Sequence, residues 1–169
     1  MGAPTNDAGG NSAGHVRVFK YQVISGTATW TQLGQDIEGK AAEDWLGVSV
    51  SLSSDGSKLA IGAYGGISSP NIGYISIYQY NTGTSSWTQL GSDISGDAAT
   101  DLFGSSVSLS SDGSIVASGG YFRSGSIAGY VRVYRYNTGT TFWTQLGSDL
   151  VGVDIGERCG REVSLSLDC

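Results

Sequence analysis

Three near-copies of one segment dominate the sequence. The pentapeptide Trp-Thr-Gln-Leu-Gly begins at Trp30, Trp87 and Trp143, at intervals of 57 and 56 residues. A second pattern, Gly-x-(Val/Ile)-x-(Val/Ile)-(Phe/Tyr)-x-Tyr, begins at Gly14, Gly73 and Gly129. Two markers that recur in step indicate an array of equivalent structural units, because self-similarity at a fixed period is the signature of repeat architectures.

Each complete copy contains four short segments in which apolar and polar residues alternate. In the second copy they cover residues 48–52, 58–63, 74–80 and 87–90, and Asp55-Gly56 separates the first two. Period-2 alternation predicts strands, and Asp-Gly is a typical hairpin turn. No segment shows the 3.6-residue periodicity of an amphipathic helix. Four antiparallel strands in about 57 residues predict an all-β chain built from β-propeller blades.

The order of the short motifs resembles the FG-GAP repeats that form the seven-bladed propeller at the head of integrin α chains. An aromatic-Gly pair opens the first strand at Phe103-Gly104, and only the glycine is kept at Gly47 and Gly160. Gly2-Ala3-Pro4 matches the motif that closes the second strand in that family. The resemblance implies a propeller that presents loops for binding or adhesion, located outside the cell or at its surface.

The same order predicts one repeat array of about three blades in a partial or open propeller. Residues 1–45 are expected to form strands three and four of one blade, 46–102 and 103–158 two complete blades, and 159–169 the first strand of another. Such an array leaves edges unpaired. Further blades or a second copy of the chain are therefore expected as partners that close the ring.

Charge and hydropathy exclude several classes of partner. The net charge is −6, which repels nucleic acid and anionic lipid headgroups. No apolar run approaches the length of a membrane span, and the N-terminal residues carry no secretory signal. Cys159 and Cys169 are too few for a disulfide framework.

Calcium binding is expected in many FG-GAP turns, but this sequence departs from the required pattern. The turns at Asp55 and Asp112 each supply one carboxylate, where the family pattern uses several. We expect both residues to stabilise hairpin turns, with a weak metal site as the alternative. No cofactor is predicted.

Acidic residues gather in the connections between units. Five of them are predicted to form an acidic rim that attracts a basic partner or cations: Asp44, Asp93, Asp97, Asp101 and Asp154. The alternative is that polar connections keep a glycine-rich surface solvated. Asp44, Asp101 and Glu157 recur at one position of the repeat, and this recurrence favours a local hydrogen-bonding role for that subset.

The repeated tryptophans Trp30, Trp87 and Trp143 occupy one register. This favours a structural slot between blades over a sugar-stacking surface. The loops between strands two and three differ among the copies, as binding loops do on a constant scaffold. The predicted ligand contacts are Tyr64, Tyr121, Phe122 and Arg123.

Catalytic motifs are absent from the sequence. His15 is the only histidine and stands where the other copies have tyrosine, and no nucleophile elbow or phosphate loop occurs. The sequence thus predicts a non-enzymatic binding or adhesion module with a protein or glycan ligand. A carbohydrate-binding propeller and a fragment of a larger propeller enzyme are the alternatives.

Overall fold

A computed structural model describes residues 1–65, 72–98, 100–122, 128–154 and 156–166. Within those residues the chain is all-β and contains no helix, and hence none long and apolar enough to cross a membrane. The strands of the first unit are β1 (Gly2–Ala3), β2 (His15–Val16), β3 (Phe19–Ile24), β4 (Thr27–Gln32) and β5 (Ile37–Glu38). Those of the second are β6 (Ser49–Leu52), β7 (Lys58–Ala63), β8 (Tyr74–Asn81), β9 (Ser86–Gln89) and β10 (Ile94–Ser95). Those of the third are β11 (Phe103–Leu109), β12 (Ile115–Gly120), β13 (Tyr130–Asn137), β14 (Phe142–Gln145) and β15 (Leu150–Val151).

The second and third units are antiparallel meanders with the same pairing. In the second unit the order is β6-β7-β8, and the outermost position is shared by β9 and β10, which both pair with β8. The third unit repeats this with β11-β12-β13, followed by β14 and β15 on β13. The four strands predicted in the second copy are confirmed within one or two residues.

The first unit has less strand pairing. It contains a three-stranded sheet, β1-β2-β5, and a hairpin of β3 and β4. On the side of β2 opposite β5, the pairing strand β1 contains only Gly2 and Ala3, which lie opposite Val16 and His15. This unit supplies the equivalents of strands three and four together with the last residues of strand two.

Two apolar cores lie between successive units. One joins the first and second units and includes Val16, Val18, Leu46, Leu59, Ile61 and Trp87. The other joins the second and third and includes Ala60, Ile75, Ile77, Phe103, Val107 and Tyr130. Each unit therefore buries its apolar surface against its neighbour, as expected when one thin sheet cannot form a core alone.

Glycines set how closely the units approach. A Cβ on Gly62 of β7 would overlap the carbonyl oxygen of Gly104, which opens the next unit. The same contact joins Gly119 to Gly160. Gly104 also has a φ of +87°, a conformation that favours glycine. The glycine of the aromatic-Gly pair thus serves both the backbone turn and the packing of units.

The repeated tryptophans lie between units wherever a preceding unit is present. The Trp87 Nε1 donates to the Leu33 carbonyl oxygen at 2.8 Å, and the Trp143 Nε1 donates to that of Leu90 at 2.9 Å. Each tryptophan also packs against a tyrosine of the neighbouring strand, with ring centroids 5.2 Å apart in both units. Trp30 packs against Tyr21 in the same way, with centroids 5.3 Å apart, but no preceding unit covers it in the described residues and it is 67% exposed, so the expected slot between units is wrong for Trp30.

Candidate functional site

Aromatic contacts occur in two successive units, close to the ends of the second strands and the connections between units. Trp45 contacts Tyr64 edge to face, with centroids 5.6 Å apart, and Tyr121 contacts Phe122 at 5.2 Å. The Arg158 guanidinium lies 5.9 Å from the Phe122 ring centroid. We call these five residues the loop aromatic cluster. Each aromatic pair is worth about 0.5–1.5 kcal/mol beyond burial.

The Trp45–Tyr64 pair and the Tyr121–Phe122 pair are related by an electrostatic effect of Tyr121 on Tyr64. Burial raises the pKa of the Tyr64 hydroxyl, and the neighbouring Tyr121 adds to the shift. All four aromatic side chains are partly exposed. The cluster therefore presents apolar ring surface to solvent from a position that its own contacts hold in place.

The backbone has the same conformation at the repeat position that carries Trp45 and Arg158. Trp45, Leu102 and Arg158 occupy one repeat position and have φ values of 55°, 54° and 51°. Positive φ is costly for residues other than glycine and marks positions that the surrounding structure holds. The Asp44 carbonyl oxygen accepts from the Gly65 N–H at 3.0 Å, so the segment that carries Trp45 is tied to the one that carries Tyr64.

Asp44 and Asp101 lie inside the fold beneath the cluster. They are 4% and 1% exposed. Asp44 accepts hydrogen bonds from the backbone of Lys40 and Ala41 and, at 2.9 Å, from the Tyr74 hydroxyl. These are local hydrogen bonds of the kind expected at this repeat position. Because both carboxylates are buried, neither contributes to an acidic rim at the surface.

Tyr74 and Tyr130 complete these buried contacts. The Tyr130 hydroxyl donates to Asp101 at 3.3 Å, the counterpart of the bond from Tyr74 to Asp44. Burial raises the pKa of both tyrosine hydroxyls well above the usual value, and the adjacent carboxylates raise it further. Both tyrosines therefore stay protonated and act as donors.

The other expected rim residues have different surroundings. Asp93 accepts from Lys40 at 2.5 Å and from the Ser76 hydroxyl at 2.6 Å. Asp97 forms an ion pair with Arg132, whereas Asp154 is exposed. Asp93 and Asp97 thus bind cationic side chains of a neighbouring unit, which reduces the negative field that a rim would project.

Asp55 and Asp112 have matching hairpin-turn contacts. Asp55 accepts from the Ser53 hydroxyl at 2.7 Å and from the Ser57 N–H at 2.9 Å. These donors lower the pKa of the Asp55 carboxyl to about 2, and their equivalents around Asp112 do the same there. Among the described residues, no three His, Cys, Asp or Glu side chains are grouped as metal ligands.

Sequence reasoning found part of the cluster. Of the expected loop contacts, Tyr64, Tyr121 and Phe122 lie in it, and Arg123 lies outside the described residues. Trp45 and Arg158 were missed. The signal was present, because this position, two residues before the glycine that all three copies share, holds three different residue types.

No family model and no curated protein matches the sequence. Among solved structures, the chain is similar to a "putative 6-phosphogluconolactonase" from Bacteroides fragilis, with a TM-score of 0.52 and 14% identity. The match covers 82% of this chain and 33% of the other, so this chain spans about a third of that structure's length. At this identity the likeness shows a shared β-rich, propeller-like fold.

The comparison also requires a correction. The expectation that this chain is not an enzyme is contradicted, because its fold is shared with a protein whose description names an enzymatic activity. The absence of short catalytic motifs from a sequence does not exclude an enzymatic activity. Catalytic groups on a propeller-like scaffold can come from loops with no fixed sequence signature, and a fold does not decide function.

Proposed function

We propose that this chain is a segment of an FG-GAP-type β-propeller that binds a protein ligand through the loop aromatic cluster, outside the cell or at its surface. The cluster of Trp45, Tyr64, Tyr121, Phe122 and Arg158 is the observation that carries the proposal. The repeated unit-to-unit contacts support the propeller assignment, since each meander packs against the next in the same register.

The composition of the cluster favours a protein ligand. Tryptophan, tyrosine and arginine are enriched at the centres of protein interfaces, where a few residues supply most of the binding energy. The aromatic rings here are held by contacts with one another, so binding would immobilise few rotamers. Arg158 is exposed and would attract an acidic group on the ligand.

A binding assay on cells tests this function. A fluorescently labelled multimer of the chain is expected to bind a cell surface that carries the ligand. Phe122→Ala should weaken binding about tenfold or more, in the range of an interface hot spot. Phe142→Ala is the matched control, because Phe142 is equally aromatic, 61% exposed and on an outer strand remote from the loops.

Two results would contradict the protein-ligand proposal. Equal loss of binding in the Phe122 and Phe142 variants would show that the cluster has no special role. Binding that is removed by glycosidase treatment of the cells, and reproduced on a glycan array, would show that the ligand is a carbohydrate stacked on the same aromatic rings.

Hydrolysis of 6-phosphogluconolactone is the second candidate function, and the fold shared with the Bacteroides fragilis protein supports it. It is tested by following the lactone spectroscopically with and without the purified chain. A rate above the uncatalysed reaction, proportional to chain concentration, would support the activity, and an unchanged rate would exclude it for this segment.

A further inference from the structure

Both boundaries between the three units hold a cationic side chain at a corresponding place. At the boundary of the first and second units, the Lys40 Nζ lies 5.6 Å from the centroid of the Tyr74 ring. At the boundary of the second and third units, the Arg132 Cζ lies 4.8 Å from the centroid of the Tyr130 ring. Tyr74 and Tyr130 hold the same position of the repeat. We call the place above this tyrosine the cation position.

The acceptors of the cation position are the same at both boundaries. Asp93 accepts from the Lys40 Nζ at 2.5 Å, and Asp149, at the same repeat position, accepts from the Arg132 Nε at 2.8 Å. Each aspartate also accepts from a glutamine side chain, at 2.7 and 2.9 Å: Gln89 and Gln145. The second and third units therefore offer equivalent surroundings to one cation each.

The cation reaches this position from opposite sides of the boundary. Lys40 comes from the connection that follows the first unit, whereas Arg132 belongs to the third unit itself. In the second unit the repeat position of Lys40 holds Asp97, whose carboxylate accepts from the Arg132 Nη1 at 3.0 Å. The repeat position of Arg132 holds Ser76, a small uncharged residue. The two sides of each boundary are thus matched in charge, and the match differs between the boundaries.

Other contacts across the boundaries do not distinguish one unit from the next. Trp87 and Trp143 donate to the carbonyl oxygen of a leucine at the same repeat position of the preceding unit. Gly62 and Gly119 each lie against the backbone of a glycine in the following unit. Such contacts accept units in any order. Repeat proteins are prone to misassembly of this kind, and specificity against it requires a repulsive element for the wrong neighbour.

We propose that the two residues that face each other across each boundary form a charge code that determines which unit can pack on which. The pairs are Lys40 with Ser76 and Asp97 with Arg132. If the third unit packed on the first, Lys40 and Arg132 would compete for one cation position. If the second units of two copies of the chain packed on each other in this way, Asp97 would meet Asp93 with no cation between them. Juxtaposed like charges disfavour both arrangements, and this proposal is independent of the ligand that the loop aromatic cluster takes.

The effect of Asp97→Lys should change sign with the residue at position 132. In the wild-type chain the new ammonium group would meet Arg132, and the equilibrium constant of unfolding should rise at least about fivefold. In an Arg132→Ser background, which copies Ser76, the same substitution would supply a cation to Asp149, as Lys40 does to Asp93. The constant should then fall about threefold relative to that background. Urea unfolding followed by tryptophan fluorescence measures all four chains.

Asp154→Lys is the matched control, because it makes the same change of charge at an exposed residue of the next connection. It should have the same effect in the wild-type and Arg132→Ser backgrounds. Circular dichroism without urea checks that each chain is folded. If the Arg132→Ser chain does not fold, the first boundary provides the test. There Lys40→Asp should raise the equilibrium constant of unfolding more than Lys40→Gln does, because a second carboxylate meets Asp93.

Two results would overturn the proposal. Asp97→Lys could have an effect of the same sign and size in both backgrounds, which would mean that residues 97 and 132 contribute to stability separately. Alternatively, Lys40→Asp could be no more harmful than Lys40→Gln, which would mean that a wrong charge at the boundary is not rejected.

Discussion

Arg132 and Asp97 form a bidentate ion pair that joins the third unit to the connection before it. The Arg132 Nη1 donates to Asp97 Oδ1 at 3.0 Å, and the Nη2 contacts the second carboxylate oxygen. Asp149 accepts from the Arg132 Nε at 2.8 Å on the other side. Between the first and second units, Lys40 occupies the repeat position that corresponds to Asp97. Lys40 forms an ion pair with Asp93 of the second unit. Opposite charges at one position therefore make the same kind of contact between units.

Arg132→Met should destabilise the chain by about 2–3 kcal/mol. The Arg132 side chain is 9% exposed, and removing one partner of a buried pair leaves uncompensated carboxylates. We set the value below the fully buried range because the Asp97 side chain is 58% exposed. Urea unfolding followed by tryptophan fluorescence measures the change.

Arg17→Met is the control for that variant. Arg17 holds the same repeat position and bonds Asp36, but its side chain is 45% exposed, so solvent screens the pair. If Arg17→Met lowered the free energy of unfolding as much as Arg132→Met does, burial between units would not be the reason that the Arg132 ion pair stabilises the chain.

Trp87→Ala should cost about 3–5 kcal/mol, the range for truncating a large buried aromatic residue. Trp87 is 3% exposed in the core between the first and second units and donates to Leu33. Trp30→Ala at the same repeat position should cost far less, because Trp30 is 67% exposed. Comparable losses in thermal unfolding would show that the tryptophan acts within its own unit and not between units.

Gly62→Ala should destabilise the chain by about 3 kcal/mol, because the added methyl group would overlap the Gly104 carbonyl and force the units apart. Gly83→Ala is the control, since its Cβ would meet only the Asn81 side chain at 3.3 Å. Calorimetric unfolding measures both. A neutral Gly62 variant would show that the second and third units can separate without loss.

The sequence was sufficient for the strands, because period-2 alternation and Asp-Gly turns are local signals. It also indicated the structural slot of Trp87 and Trp143, but Trp30 at the same repeat position is 67% exposed, because in the described residues no unit packs on its other side. The propeller assignment and the division of the chain into blades remain predictions. Over the residues that it describes, the structure shows antiparallel sheets packed in series and neither a closed ring nor a number of blades.

The candidate site was only partly predictable, because its contacts join residues far apart in the chain. Lys40 and Asp97 look like unrelated substitutions until their partners, Asp93 and Arg132, are seen in the neighbouring unit. Trp45 is an isolated aromatic residue in sequence, and only the fold brings it to Tyr64. An acidic rim was inferred from the position of the acidic residues in the connections between units, and position in the sequence does not show whether a side chain is buried.

Acid should weaken the two hairpin turns in a narrow range of pH. Asp55 and Asp112 have pKa values lowered to about 2 in the folded chain, against about 3.9 for an unfolded aspartate. The unfolded state therefore takes up protons first as the pH falls. The stability that the carboxylates contribute is complete above about pH 4 and is lost towards pH 2.

Asp55→Asn and Asp112→Asn should each flatten the dependence of unfolding free energy on pH between about 4 and 2. At pH 7 each should cost about 1 kcal/mol or less, since the amide oxygen can still accept from the serine donors of an exposed turn. Ser53→Ala is the companion variant, because it keeps the Asp55 charge and removes the hydroxyl that lowers its pKa most. It should reduce the same slope, measured by urea titrations across that range. A slope unchanged in all three variants would contradict the assignment of this pH dependence to the two hairpin turns.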